Sequence, residues 1–77
     1  MYTINYIEDG RFITTIGAPA RTLSECTKQI DKFLERSDRH PLESHVGCRW
    51  DRNGVTCILF VTDDSGLPIS TKEQEDA

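Results

Sequence analysis

Three cysteines and two histidines, Cys26, Cys48, Cys57, His40 and His45, supply the ligand and nucleophile chemistry of this chain. Structural zinc sites in small domains draw their ligands from closely paired cysteines or histidines. No Cys-x-x-Cys pair occurs. His45 and Cys48, three apart, would point to opposite faces of a strand. No metal or cofactor site is expected. A disulfide between Cys48 and Cys57 would need one particular hairpin register, and an odd cysteine count argues for reduced thiols. A catalytic thiol or hydroxyl needs an adjacent base, and nothing in the pattern brings Cys26 to either histidine. Asp63-Asp64 is the one pair of adjacent aspartates. Ahead of "SGLP" it reads as a turn rather than an acid–base pair. The glycines are scattered at 10, 17, 47, 54 and 66, so no phosphate-cradling loop forms. The expectation is a protein without enzymatic activity.

Single-stranded RNA recognition would use aromatic rings on an open sheet. Tyr2, Tyr6, Phe12 and Phe60 offer rings, with Arg11 and Arg49 beside them. Such modules set their rings in a basic surface, and here residues 1–62 carry eight acids and eight bases. Lys28, Lys32, Arg36 and Arg39 form a basic spacing that Asp31 and Glu35 interrupt, which reads as a solvated helix face. Nucleic acid is therefore not the expected partner. The net charge of −4 resides in residues 63–77, with five acids and one base.

The elements follow from periodicity. "YTINYIEDGRFITTIG" alternates with period two around Asp9-Gly10, the mark of a β-hairpin. A two-residue loop places Tyr6 opposite Ile13. A three-residue loop places Tyr6 beside Phe12 and gathers Tyr2, Ile4, Phe12 and Ile16 on one face, the cleaner apolar pattern. Glu8 and Arg11 can pair across the strands. Gly17 and Pro19 in "GAPA" end the second strand. Thr22 and Glu25 have capping-box spacing, and Leu23, Cys26, Ile30, Phe33 and Leu34 recur at helical spacing. Pro41 disfavours helical geometry at His40, so the helix should stop near Ser37. "HVGCRWDRNGVTCILFVT" is a second hairpin around Asn53-Gly54, where a two-residue turn sets Trp50 opposite Cys57 and Cys48 opposite Leu59, and a four-residue loop sets Cys48 opposite Cys57. Its Val46, Cys48, Trp50, Cys57, Leu59 and Val61 share the face turned to the helix.

Ile58 and Phe60 lie on the other face of the last strand. An uncharged run of β-formers at a free edge invites aggregation, so this strand should lie inside the sheet. The fold class is α+β: ββαββ, a four-stranded mostly antiparallel sheet with one amphipathic helix packed on one face. Residues 1–64 form the single domain, and residues 65–77 an acidic, largely disordered tail.

One helix covers one face only. The other shows Ile58 and Phe60, with Ile7, Ile13 or both nearby. It can be shielded by "GLPI" folding back through Leu67 and Ile69, by a second copy, or by another protein. A 77-residue chain buries only about 60% of its unfolded surface, and an interface adds to so thin a core. The longest apolar run, "CILFV", is far short of the ~20 residues of a membrane span. "MYTINYIEDG" lacks the basic head and apolar block of a signal peptide. A cytoplasmic location and no membrane partner are expected.

The layout of strands, helix and strand resembles small antitoxins. In size and style the chain is similar to the tiny acidic inhibitors of bacteriophages, such as anti-CRISPR proteins. These likenesses imply a non-enzymatic protein-interaction module, a phage or mobile-element inhibitor of a host protein. The candidate contacts are Ile58 and Phe60 on the open face and Asp63, Asp64, Glu73, Glu75 and Asp76 as phosphate mimics toward a nucleic-acid-binding host protein. The alternatives are a homodimeric antitoxin-like or structural protein, joined by the open face or the edge of the Tyr2–Ile7 strand, and a single-stranded RNA-binding module.

Overall fold

The computed structural model describes residues 1–71. Its elements are β1 (Tyr2–Glu8), β2 (Arg11–Ala20), α1 (Leu23–Phe33), β3 (His40–Pro41), β4 (Gly47–Arg52) and β5 (Val55–Thr62). The sheet is antiparallel throughout, in the order β2-β1-β5-β4-β3. It has five strands rather than four. The extra one, β3, is a two-residue pairing of His40 and Pro41 with Arg49 and Cys48, too short to leave a period in the sequence.

The second hairpin turns as its sequence dictates. Asn53 and Gly54 both take positive φ, 52° and 82°, the requirement of a type I′ turn. Trp50 then faces Cys57, and Cys48 faces Leu59. β5 lies between β1 and β4, so its apolar run is paired on both edges.

The first hairpin departs from both expected registers. Asp9 and Gly10 also form a two-residue turn of positive φ, and Ile7 faces Phe12. A bulge then inserts Ile13, and Tyr6 meets Thr14. Ile4 and Ile16 face each other on the helix side, while Phe12 falls on the opposite face and is exposed. β2 also runs through "GAPA" to Ala20 instead of stopping at Gly17. Its register shifts there, between the pairings of Ile4 and Tyr2, and Gly17 takes a φ of 67°.

The helix starts where its caps say. Thr22 accepts from the Glu25 amide at 3.1 Å, and Glu25 reaches back to the Arg21 amide at 3.0 Å. It ends earlier than expected, at Phe33. Leu34 leaves helical geometry to enter the core, and the Arg39 guanidinium takes its carbonyl at 3.3 Å. Phe33, expected on the buried stripe, is half exposed. Cys26, Ile30 and Leu34 pack with Ile4, Val46, Cys48, Trp50, Cys57, Leu59 and Val61 in one core.

That core also takes Ile69, only 5% exposed. Residues 65–71 therefore belong to the domain and not to a tail. The Asp63 carboxylate accepts the Ser65 and Leu67 amides at 2.8 and 3.0 Å and folds the chain back. The Ile69 amide then bonds Val61 O at 2.9 Å, and the Val46 amide bonds Ile69 O at 2.8 Å. "GLPI" does return, but Ile69 enters the helix-side core while Leu67 stays exposed. Residues 72–77 lie outside the described residues.

Gly47 sits against β5. A Cβ there would stand 2.0 Å from Leu59 O, on a backbone of φ 151°. Gly47→Ala should cost about 2–4 kcal/mol in urea unfolding, since neither strand can give way. Gly54→Ala, with open space around it, should cost only about 1–2 kcal/mol from its left-handed backbone. Ile69→Ala should cost about 2–5 kcal/mol, and Leu67→Ala within about 0.5 kcal/mol. Equal, small effects of the last two would show that residues 65–71 add nothing to the core.

Candidate interaction face

Alternation along the strands sorts side chains between two faces. On the face away from α1, register places Phe12, Ile7, Ile58, Arg49 and His40 in one row across all five strands. The next row is Thr15, Asn5, Phe60 and Gly47. Ile7, Ile58 and Phe60 are half-buried and Phe12 is 62% exposed. The aliphatic and aromatic side chains shade one another, and among the described residues no helix or loop is layered over them. Phe60 lies between a bare backbone at Gly47 and the Asn5 side chain. That amide is tied down, donating to Thr62 Oγ1 at 3.0 Å and to Phe60 O at 3.3 Å. Arg49 is exposed beside Ile58, and Asp51 accepts from Thr56 at 3.3 Å farther along. The face is thus an apolar centre with a polar margin.

The two expected apolar contacts, Ile58 and Phe60, are brought together here. The acidic ones are not assembled with them. Asp63 is spent on the loop amides, and Asp64 pairs with the Met1 amino terminus at 2.6 Å. Glu73, Glu75 and Asp76 lie outside the described residues. Sequence reading missed the place of Phe12 on this face, because the apolar pattern favours a three-residue loop that gathers Phe12 with Ile4 and Ile16. The two-residue turn sets Phe12 opposite Ile7, and the bulge at Ile13, which leaves no periodic signature, returns Ile16 to the helix side.

Tyr2 and Tyr6 turn to the helix side and pack against the core. Tyr6 stacks on Trp50 with ring centroids 5.9 Å apart. Of the four rings considered for RNA stacking, only Phe12 and Phe60 share the open face. The Tyr6 hydroxyl donates to Glu8 at 2.5 Å, and Glu8 holds Arg52 at 2.6 Å. Glu8 therefore bonds Tyr6 and Arg52, and among the described residues no ion pair joins it to Arg11.

A cleft of about 300 Å³ opens at the other side of the molecule. Asp31, Arg39, His45 and Cys48 are among its walls. His45 precedes β4, so strand alternation does not separate it from Cys48 as expected. The chemistry remains quiet. Burial pushes the Cys48 thiol up, away from the thiolate. Arg39 is already paired with Asp31. His45 Nδ1 meets Ser44 Oγ at 2.6 Å. All three cysteines are free and buried. Among the described residues no three acidic, histidine or cysteine side chains are grouped to hold a metal, and no helix is long and apolar enough to cross a membrane.

No family model, curated protein or solved structure matches this chain.

Tyr6 gives a pH signature of the helix-side cluster. Burial, then the bonds to Glu8 and Cys57, raise its pKa well above the ordinary 10.0. Above that pH the unfolded chain sheds the phenolic proton while the folded chain keeps it. Unfolding then releases a proton, and stability falls as pH rises from about 10. Urea titrations should show this alkaline loss in the native chain and a smaller one in Tyr6→Phe. An identical loss in both would place the cause elsewhere.

Proposed function

We propose that this chain is a non-enzymatic protein-interaction module that docks on another protein through the sheet face bearing Phe12, Ile7, Ile58 and Phe60. It would act as the small inhibitors carried by phages and mobile elements do, by occupying a host protein's surface. One observation carries the reading: a contiguous apolar row crosses three adjacent strands of a sheet that, among the described residues, has a helix on one side only. Exposed contiguous apolar patches on small soluble domains mark binding surfaces. The arrangement of central aromatics with Arg49 and His40 at the margin matches the anatomy of protein interfaces, where aromatic residues and arginine are enriched.

The reading rests on the apolar face. Asp63 and Asp64 have roles within the fold, so phosphate mimicry would fall to Glu73, Glu75 and Asp76.

Phe60 replaced by a photo-reactive phenylalanine analogue should yield one dominant protein adduct in extract of the cells that carry the gene. The same probe at Phe33, on the half-exposed helix, should yield none. Phe60→Asp and Ile58→Asp should abolish the adduct formed by a probe at Phe12 while preserving the circular dichroism spectrum. Adducts equal at Phe60 and Phe33, or capture indifferent to both aspartates, would defeat the proposal.

A further inference from the structure

We infer that the open edge of β2 pairs antiparallel with β2 of a second copy, joining two sheets into one of ten strands. An unpaired sheet edge is a template for another strand, and proteins normally blunt it. Among the described residues, both edges of the sheet are blunted except along one stretch of β2, where the bulge at Ile13 is the single interruption. At the far edge, β3 has two residues, one of them Pro41. At the C-terminal end of β2, the Gln29 side chain closes the edge like a strand of its own. It accepts from the Ala18 amide at 3.1 Å and donates to the Ala18 carbonyl at 3.0 Å. Pro19 follows, without an amide hydrogen. Residues 12–16, "FITTI", have neither device. No charge lies between Arg11 and Ala20, although a lysine or glutamate is the usual guard of such an edge. Phe12 and Ile13 are 62% and 49% exposed.

The backbone of that stretch faces outward at Thr15. The Asp9 amide bonds Thr56 O at 2.9 Å, which fixes the odd-numbered residues of β1 toward β5. The even-numbered ones, Glu8, Tyr6 and Ile4, then turn to β2 and meet Arg11, Thr14 and Ile16. Thr15, between the last two, presents its amide and carbonyl to the open side. Its carbonyl has a long local bond from the Thr14 hydroxyl, 3.3 Å.

A second copy is the occupant because this strand suits itself. With a two-fold axis beside Thr15, the two Thr15 residues exchange their amides and carbonyls, and Thr14 of each copy opposes Ile16 of the other, both β-branched and both on the helix side. The only charge on β2, Arg11, is carried to opposite ends of the pairing, so no like charges meet. A two-fold axis perpendicular to the sheet keeps the outer faces together. The docking faces of the two copies then lie on the same side of the joined sheet.

Analytical ultracentrifugation of the full chain should show twice the 8.8 kDa monomer mass as concentration rises. Thr15→Pro removes an amide hydrogen that β1 does not use, and Ile13→Lys restores a guard charge. Each should give a monomer with unchanged secondary structure. Phe60→Asp, which strikes the proposed docking face, should leave the dimer intact, so the two readings fail separately. Exchange of the Thr15 amide in the native chain should slow by at least tenfold between dilute and concentrated samples, independently of any variant. A native chain that stays monomeric, a dimer that survives Ile13→Lys, or one that Phe60→Asp alone dissolves would each overturn the inference. Pairing of "FITTI" with a foreign strand only would appear as the first of these outcomes.

Discussion

Strand β5 sets the terms for the rest of this molecule. It is paired on both edges, and Cys57, Leu59 and Val61 on its inner side are fully buried. A strand so placed must be flanked closely, and the flanking imposes conditions outside it. On one side β1 must run antiparallel and in register from Thr3 to Glu8. On the other, the backbone of β4 must approach so near at Gly47 that no side chain fits. Above, the apolar stripe of α1 brings Cys26 and Ile30 to the same core. One eleven-residue helix does not cover five strands. The chain makes up the difference with the segment through Leu34–Val46 and with Ile69, which the Asp63 turn sends back to the core.

What was legible in the sequence is what short-range chemistry decides. Asn53-Gly54 suits a type I′ turn, and the structure takes that register over the four-residue loop the sequence also allowed, while either keeps Cys48, Trp50, Cys57 and Leu59 on one face. Thr22 and Glu25 fixed the start of the helix because the orphan amides of a first turn need such partners. What was not legible depends on contacts distant in sequence. The helix stops at Phe33 because Leu34 is worth more in the core than in another turn, and because Arg39 takes the freed carbonyl. Pro41, the local signal, lies beyond that point and decided nothing. Ile69 is a single apolar residue in a polar stretch. Only the bridges to Val61 and Val46 reveal it as core.

The candidate face shows the same division. Ile58 and Phe60 were assignable because alternation along a paired strand leaves no freedom. Phe12 was not, because the apolar pattern favours a three-residue loop, and the chain takes the two-residue turn that sets Phe12 opposite Ile7 on the open side. The bulge at Ile13 then inverts the residues beyond it and leaves Ile16 facing Ile4. Tyr6, displaced from the imagined stacking surface, takes a structural place instead, flat against Trp50 with its hydroxyl on Glu8.

The bulge also connects the open face to the open edge. A bulge twists a strand and by itself discourages pairing, yet this one puts Phe12 and Ile13 at the boundary of both surfaces. Closing the edge nearby had a structural requirement. The Gln29 amide reaches Ala18 only because Gly17 has no Cβ, which would stand 1.9 Å from Gln29 Oε1. Glycine at a left-handed φ, a glutamine on the right helical turn and a following proline all serve to satisfy one residue of edge. The physics that made this worthwhile at Ala18 applies equally at Thr15, where the backbone points outward and no side chain of the chain's own answers the amide. An edge so carefully finished at one end, and bare a few residues away, is better accounted for by a strand that arrives from outside than by indifference to solvent.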